Sequence, residues 1–286
     1  MASLVAPIGT EEVEGVAEEM PIASAKRRRR PRFFRGFVLL VAAVYFLLPL
    51  FAGLKYTFED ANGNFSFSTV RSIASQPYLG SALWLTVRLA VLAMVVTMAL
   101  MIPTTVYVHL KLPKMRRVMD LVTLLPIVFP PIVLVLGVLK TYPLALRNSP
   151  YLLSLLYVIL AMPFVYRSLD AGLGAIDLKT LVEASKSLGG RWISTLLRVI
   201  LPNLTTALIS AVVLTIALVF AEFTLAYLTQ WQTISVWIVQ FNGTDGHITV
   251  AVSMLLLLGT WILLSAIVVV DLIRSRQKLK RRTTAS

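Results

Sequence analysis

Six apolar stretches, at about 36–54, 83–108, 118–139, 151–168, 204–228 and 248–271, limit what this chain can become. Each approaches or exceeds the ~20 residues that a helix needs to cross the hydrocarbon of a bilayer. Only 14% of the residues are charged, against 57% hydrophobic. Soluble domains carry roughly 25% charged residues, so this much apolar surface needs lipid. The sequence predicts an all-α membrane protein with six transmembrane helices. The fourth stretch gives the weakest signal, because Pro163 interrupts it and Arg167 sits near its end. The third holds Pro126, Pro130, Pro131 and Gly137. Neighbouring helices can satisfy the carbonyls that such prolines free, and kinks of this kind line a pathway, let a helix flex, or are purely structural.

Lys and Arg fix the expected orientation. The stretches 26–35, 111–117, 167–198 and 274–282 carry seven, four, five and six of them. The opposite side keeps only Lys55, Arg71, Lys140 and Arg147, and Arg88 lies within a segment. The positive-inside rule then puts both termini and the 171–203 region in the cytoplasm. The formal net charge of +13 is thereby accounted for by topology, and nucleic acid is not needed as a partner. Residues 1–35 read as a disordered cytoplasmic tail, acidic and then basic. The first helix takes 36–54, an extracytoplasmic loop 55–79, the membrane core 80–271 and a basic cytoplasmic tail 272–286. Within the loop, Asn62-Gly63 between alternating Tyr56, Phe58, Phe65 and Phe67 predicts a small hairpin. No internal repeat stands out.

Between the fourth and fifth stretches lies a polar, basic island, from Glu183-Ala184-Ser185 through Gly189-Gly190-Arg191-Trp192 to Leu201-Pro202. Thr180 and Glu183 have capping-box spacing, which predicts a short helix from Leu181. Gly189-Gly190 would end that helix, since φ > 0 is cheap for glycine. A second helix over 191–200 would set Trp192, Ile193, Leu196, Leu197 and Ile200 on one side. Pro202 suits the first turn of the helix after it. The island is therefore a helix–turn–helix with a face to offer a partner.

These residues resemble the EAA loop of ABC-importer permease subunits, whose pattern is E-A-A, three residues, G, nine residues, I-x-L-P. Glu183, Ala184, Gly189, Leu201 and Pro202 match, while Ser185 replaces the second Ala and Val199 the Ile. The approach through Pro163 to Leu169 and Ile176-Asp177 is similar too, and so, weakly, is the Leu-Leu-Pro, Pro-Pro, Gly pattern of the third stretch. The resemblance covers roughly 80–271. It implies a permease subunit in a bacterial or archaeal cell membrane, with a second similar permease subunit, two ATP-binding cassette ATPase subunits and an extracytoplasmic substrate-binding protein. Glu183, Ala184, Gly189, Arg191, Trp192, Leu201 and Pro202 would couple it to the ATPases, and alternating access would follow their closure. The look is nearest the polyamine, iron(III) and phosphonate branch.

Glu222 is the one acid well inside an apolar stretch. At bilayer depth a charge costs roughly 2.5–3.5 kcal/mol on insertion scales, so such residues face a cavity or a partner. Glu222 either lines the translocation path with Pro126, Pro130 and Pro131, beside a cation such as spermidine or putrescine, or pairs with Arg88 to fix packing. Trp84, Trp231 and Trp261 read as interfacial anchors. His109 and His247 fall on opposite sides, which leaves no zinc site. The chain has no Walker phosphate loop, nucleophile elbow or paired carboxylates near a His, so no catalytic residue and no cofactor is expected on it. A secondary transporter or channel working without ATP is the rival reading, but the paired broken helices typical of one are not found. A membrane scaffold is a third.

Overall fold

The computed structural model describes residues 32–59 and 63–283, with side chains over 36–59 and 63–269. The tail expected over 1–35 lies outside them up to residue 31, as do Asn62 of the expected hairpin and the side chains of the tail 272–286. The chain divides into two compact units, Met1–Leu48 and Pro49–Ser286. The described backbone is helical apart from turns and one isolated bridge between Glu59 and Phe65. That bridge, with Ser66 N–H donating to the Phe58 carbonyl at 2.8 Å, is what forms of the hairpin. Phe58, Phe65 and Phe67 pack ring against ring around it.

Helix α1 spans Arg32–Thr57, α2 Ser68–Ile73 and α3 Leu79–Lys111. The third stretch forms two helices, α4 Arg116–Val128 and α5 Pro131–Thr141, and the short α6 Leu144–Arg147 comes next. The fourth forms α7, Tyr151–Gly174, and the island is built of α8 Leu178–Ser187, α9 Trp192–Thr195 and α10 Leu201–Asn203. After it come α11 Thr205–Ala221, α12 Thr224–Leu228, α13 Ile234–Phe241 and α14 Gly246–Thr283. Among the described residues four helices, α1, α3, α7 and α14, are long and apolar enough to cross a membrane, and six spans result if each bent pair counts as one. This is a multi-pass membrane protein. Described helix is present from Arg32 in α1 and up to Thr283 in α14, within the stretches expected as tails.

Within the second unit α7 is the central helix. It packs against α3 and α11, with α4 against its C-terminal half. The stretch with the weakest hydropathic signal is thus the most buried of the candidate spans. Its Leu153, Tyr157, Val165 and Tyr166 are almost wholly enclosed, so they face helices and need not be as apolar as lipid-facing residues. Pro163 sits inside α7 without breaking it.

Small side chains let the neighbours come close. On α3 the buried stripe runs Ala82, Thr86, Ala90, Ala93, Thr97, Met101 and Thr105, at three- and four-residue spacing. Its threonine hydroxyls donate to carbonyls four residues back, at 2.9 Å for Thr86, 2.7 Å for Thr97 and 2.7 Å for Thr105. No polar atom on that stripe is left bare in the apolar interior. Where α7 meets α11, Gly172 is essential to the approach, since a Cβ there would lie 2.5 Å from that of Ala207. At the far end Thr86 Oγ1 accepts from Ile234 N–H at 2.9 Å, and Trp237 Nε1 donates to the Pro77 carbonyl at 2.9 Å. These two bonds hold α13 across the start of α3.

Candidate functional site

The island is anchored on one side and open on the other. Helix α8 starts at Leu178, one turn earlier than the capping-box spacing predicts. Its cap is Asp177, whose carboxylate accepts from Thr180 N–H at 3.2 Å and from Thr180 Oγ1 at 2.7 Å. The Thr180 hydroxyl is thereby engaged upstream and does not cap Glu183. The same bonds, the hydroxyl's foremost, hold the Asp177 carboxyl below the usual carboxylate range. Leu178 and Val182 turn inward onto Val106, Leu173, Ile200 and Leu204. Glu183, Ala184, Lys186 and Ser187 face outward.

Gly189-Gly190 end α8 in a Schellman turn. Gly190 N–H donates to the Ser185 carbonyl at 2.8 Å, Gly189 N–H to that of Lys186 at 2.9 Å, and Gly189 has φ +77°. A Cβ at Gly190 would sit 2.4 Å from Ser185 Oγ and 2.6 Å from Ser185 O, so the second glycine is required by space. Ser185, one of the two departures from the EAA-loop pattern, has a local reason. Its Oγ hydrogen-bonds Thr195 Oγ1 at 2.8 Å and ties α8 to α9.

The second half of the island is not one regular helix. Leu196–Ile200 form a π-helical turn between α9 and α10, and an 83° bend then leads into α11. The extra residue in the π turn splits the predicted one-sided stripe. Ile200 goes inward, with Leu196 packed beside it, and Trp192, Ile193 and Leu197 stay outside. Leu188 is 90% exposed, Ile193 68% and Leu197 56%. Together with Trp192 they make an apolar ridge flanked by exposed Glu183, Lys186 and Arg191. Leu201 is half-buried at the first turn of α10, and Pro202 beside it is exposed.

Beside the island lies a polar network that the sequence did not suggest. Arg116 grips Asp170 with two bonds of 3.0 Å, and His109 Nε2 lies 2.8 Å from Asp170 Oδ1. Tyr166 donates to the Arg116 carbonyl at 3.0 Å, and Arg167 Nε to Asp120 Oδ1 at 3.1 Å. Ends of α3 and α4 are thus fastened to α7 just before it enters the island. His109 and Asp170 are 61 residues apart, and only their shared proximity to basic stretches could have hinted at a partnership.

At the other end of the molecule α11 stops at Glu222, and α12 begins two residues later. The Glu222 carboxylate accepts from Leu225 N–H at 2.9 Å and from Ala226 N–H at 3.4 Å. It caps the helix beyond its own break. Its backbone carbonyl accepts from Ser235 Oγ at 2.8 Å, and the buried Tyr157 hydroxyl lies beside the carboxylate without closing a hydrogen bond. The suggested pairing with Arg88 does not form, since Arg88 Nη2 donates to Tyr151 OH at 2.7 Å. Pro130 and Pro131 stand at a break with a 92° bend between α4 and α5, exposed, while Pro126 stays inside α4. Trp84 and Trp261 are exposed, whereas Trp231 packs against the central cluster.

No family model matches the chain. It is similar to a probable molybdenum ABC transporter permease protein of Haloferax volcanii, 27% identical over 243 residues, which cover 78% of this chain and 86% of the relative.

Proposed function

We propose that this chain is the membrane permease subunit of an ATP-driven importer and forms half of a translocation pathway. The observation that carries the reading is the apolar ridge of Leu188, Trp192, Ile193 and Leu197, which stands on two helices anchored in the membrane core. An apolar patch held this firmly in a polar loop marks a protein partner. Glu183, Ala184, Gly189, Arg191, Leu201 and Pro202 shape and frame it, and the similarity to an ABC transporter permease supports a cassette ATPase as that partner. The distribution of Lys and Arg supports a cytoplasmic ridge and cytoplasmic termini. A second permease subunit and an extracytoplasmic binding protein complete the assembly.

When the ATPases close, they push on the ridge. The movement passes through Leu178, Val182, Ile200 and Leu204 to α7 and α11. Pro126, with the Pro130–Pro131 break, and the break at Glu222 are where the wall of the pathway flexes. Differential affinity of the ATPases for two arrangements of this wall drives the exchange. A polyamine would need a free acid in the path, and both Glu222 oxygens serve backbone N–H groups instead. The relative named for molybdenum supports a molybdenum species, which in neutral water is a dianionic oxyanion.

The test is co-purification of a tagged chain with an ATPase from the native membrane, with Ile193→Asp as the variant. A charge placed in an apolar contact costs several kcal/mol, so the ATPase should be lost while the variant remains in the membrane. Retention of the ATPase by Ile193→Asp, or its absence from the parent preparation, overturns the reading.

A further inference from the structure

The turn at the end of α12 repeats, bond for bond, the one that ends α8. Trp231 N–H donates to the Ala226 carbonyl at 3.0 Å and Gln230 N–H to that of Tyr227 at 3.1 Å. The residue in the glycine position is Gln230, with φ +62°. A residue with a Cβ is strained there, and glycine is the usual occupant. Side chains kept in such conformations concentrate at binding sites.

Gln230 opens onto a cleft of ≈ 580 Å³ between the end of α12 and α13, lined by Tyr227, Leu228, Gln230, Trp231, Gln232, Val236 and Gln240. No charged side chain lines it. Among the described residues, the three amide groups, the Trp231 indole N–H and the Tyr227 hydroxyl make no hydrogen bond to the protein. Five uncharged groups able to donate thus line one open cleft beside the buried Val236, those of Tyr227, Gln230, Gln232 and Gln240 on exposed residues. The start of α13, just before Val236, is held to the core by the Ile234–Thr86 bond and by Ser235 on the Glu222 carbonyl at the break after α11.

We infer that this cleft is a solute site for a small tetrahedral oxyanion, held by neutral hydrogen-bond donors, with Gln230 as its principal specificity-determining residue. The inference rests on the permease reading for its substrate class. Donors without a countercharge bind an anion by direction and number, and they release it easily because no ion pair has to be broken. A polycation would find no carboxylate here. The site lies next to the flexing break, where binding and release can follow the movement of α11.

The probe is isotope-labelled molybdate, added to the full chain in lipid nanodiscs together with whatever ATPase co-purifies. The parent should bind it saturably. Gln230→Gly places the residue favoured by the turn, so thermal stability should hold or rise while affinity falls at least tenfold. Gln240→Ala, on α13 and outside the turn, should weaken binding in the same direction. Unlabelled sulfate should compete; spermidine and glucose should not. The inference is overturned by absent saturable binding in the parent, by unchanged affinity in both variants, or by displacement with spermidine or glucose. Retention of the ATPase is scored on the same samples. Molybdate binding without an ATPase would keep the cleft and remove the permease reading, and an ATPase with an unresponsive cleft would do the reverse.

Discussion

The chain turns twice by the same hydrogen-bond pattern, at 188–190 and at 229–231, and the two turns are built for different work. The first places glycine at the left-handed position, and around it stands an apolar ridge. The second accepts a strained Gln230, and around it stand unpaired amides. A turn that only has to reverse the chain uses the residue with least strain. A turn that keeps a longer side chain at the same φ gives up stability for what that side chain touches. Under the proposed function the turn after α8 draws its shape from backbone, and Leu188, Trp192, Ile193 and Leu197 supply the affinity. In the proposed cleft the turn residue itself supplies the chemistry.

The largest expected effect that sharpens this contrast is at Gly190. The space a Cβ would need is taken by the Ser185 backbone, which cannot shift without opening α8, so Gly190→Val should destabilise the island by about 3 kcal/mol or more. Loss of ATPase co-purification, with normal insertion, is the measurement. A variant that still binds the ATPase would mean that the ridge does not depend on this turn. At the break after α11 the corresponding test is Glu222→Ala. Removing a cap that serves two N–H groups should cost about 1 kcal/mol and lower the midpoint of thermal unfolding by about 2–4 °C. Glu222→Gln keeps one acceptor and should lose less. An unchanged midpoint for both would show that the carboxylate is not held as a cap.

How much of this was legible in the sequence differs between segments for a physical reason. Hydropathy located the four helices long and apolar enough to span and the two bent pairs that would make six, because a lipid-facing helix must be apolar over its whole length. It underrated α7, whose Ser154, Tyr157, Tyr166 and Asp170 are tolerated because other helices, and not lipid, surround them. Prolines misled in both directions. Pro163 lies inside a packed helix and leaves it whole, while Pro130 is extended and, with Pro131 opening the next helix, breaks the third stretch at 92°. The island's matching residues and Gly189 were visible, since a helix stop is a local signal. The cap at Asp177 was missed in favour of Thr180, which satisfies a consensus spacing equally well. The bonds joining His109, Arg116 and Asp170, and the pairing of Arg88 with Tyr151, depend on how distant helices face one another. No spacing along the chain encodes that.

The smallest expected effect is the most direct challenge to the comparison, because it exchanges the two turn residues. Gly189→Gln should destabilise the turn after α8 by roughly 1 kcal/mol, the penalty for a Cβ at positive φ, since nothing else lies within 4 Å of the position. Gln230→Gly should stabilise the turn after α12 by a similar or smaller amount, reduced by the greater freedom of glycine in the unfolded chain. Thermal unfolding of the two single variants and the double variant reads both terms, and the sites are far enough apart for the effects to add. The functional readouts should separate where the stabilities nearly cancel: ATPase co-purification should survive the exchange, and molybdate binding should not. If Gln230→Gly leaves binding intact, the strain at 230 serves no ligand, and the two turns are the same device with different residues.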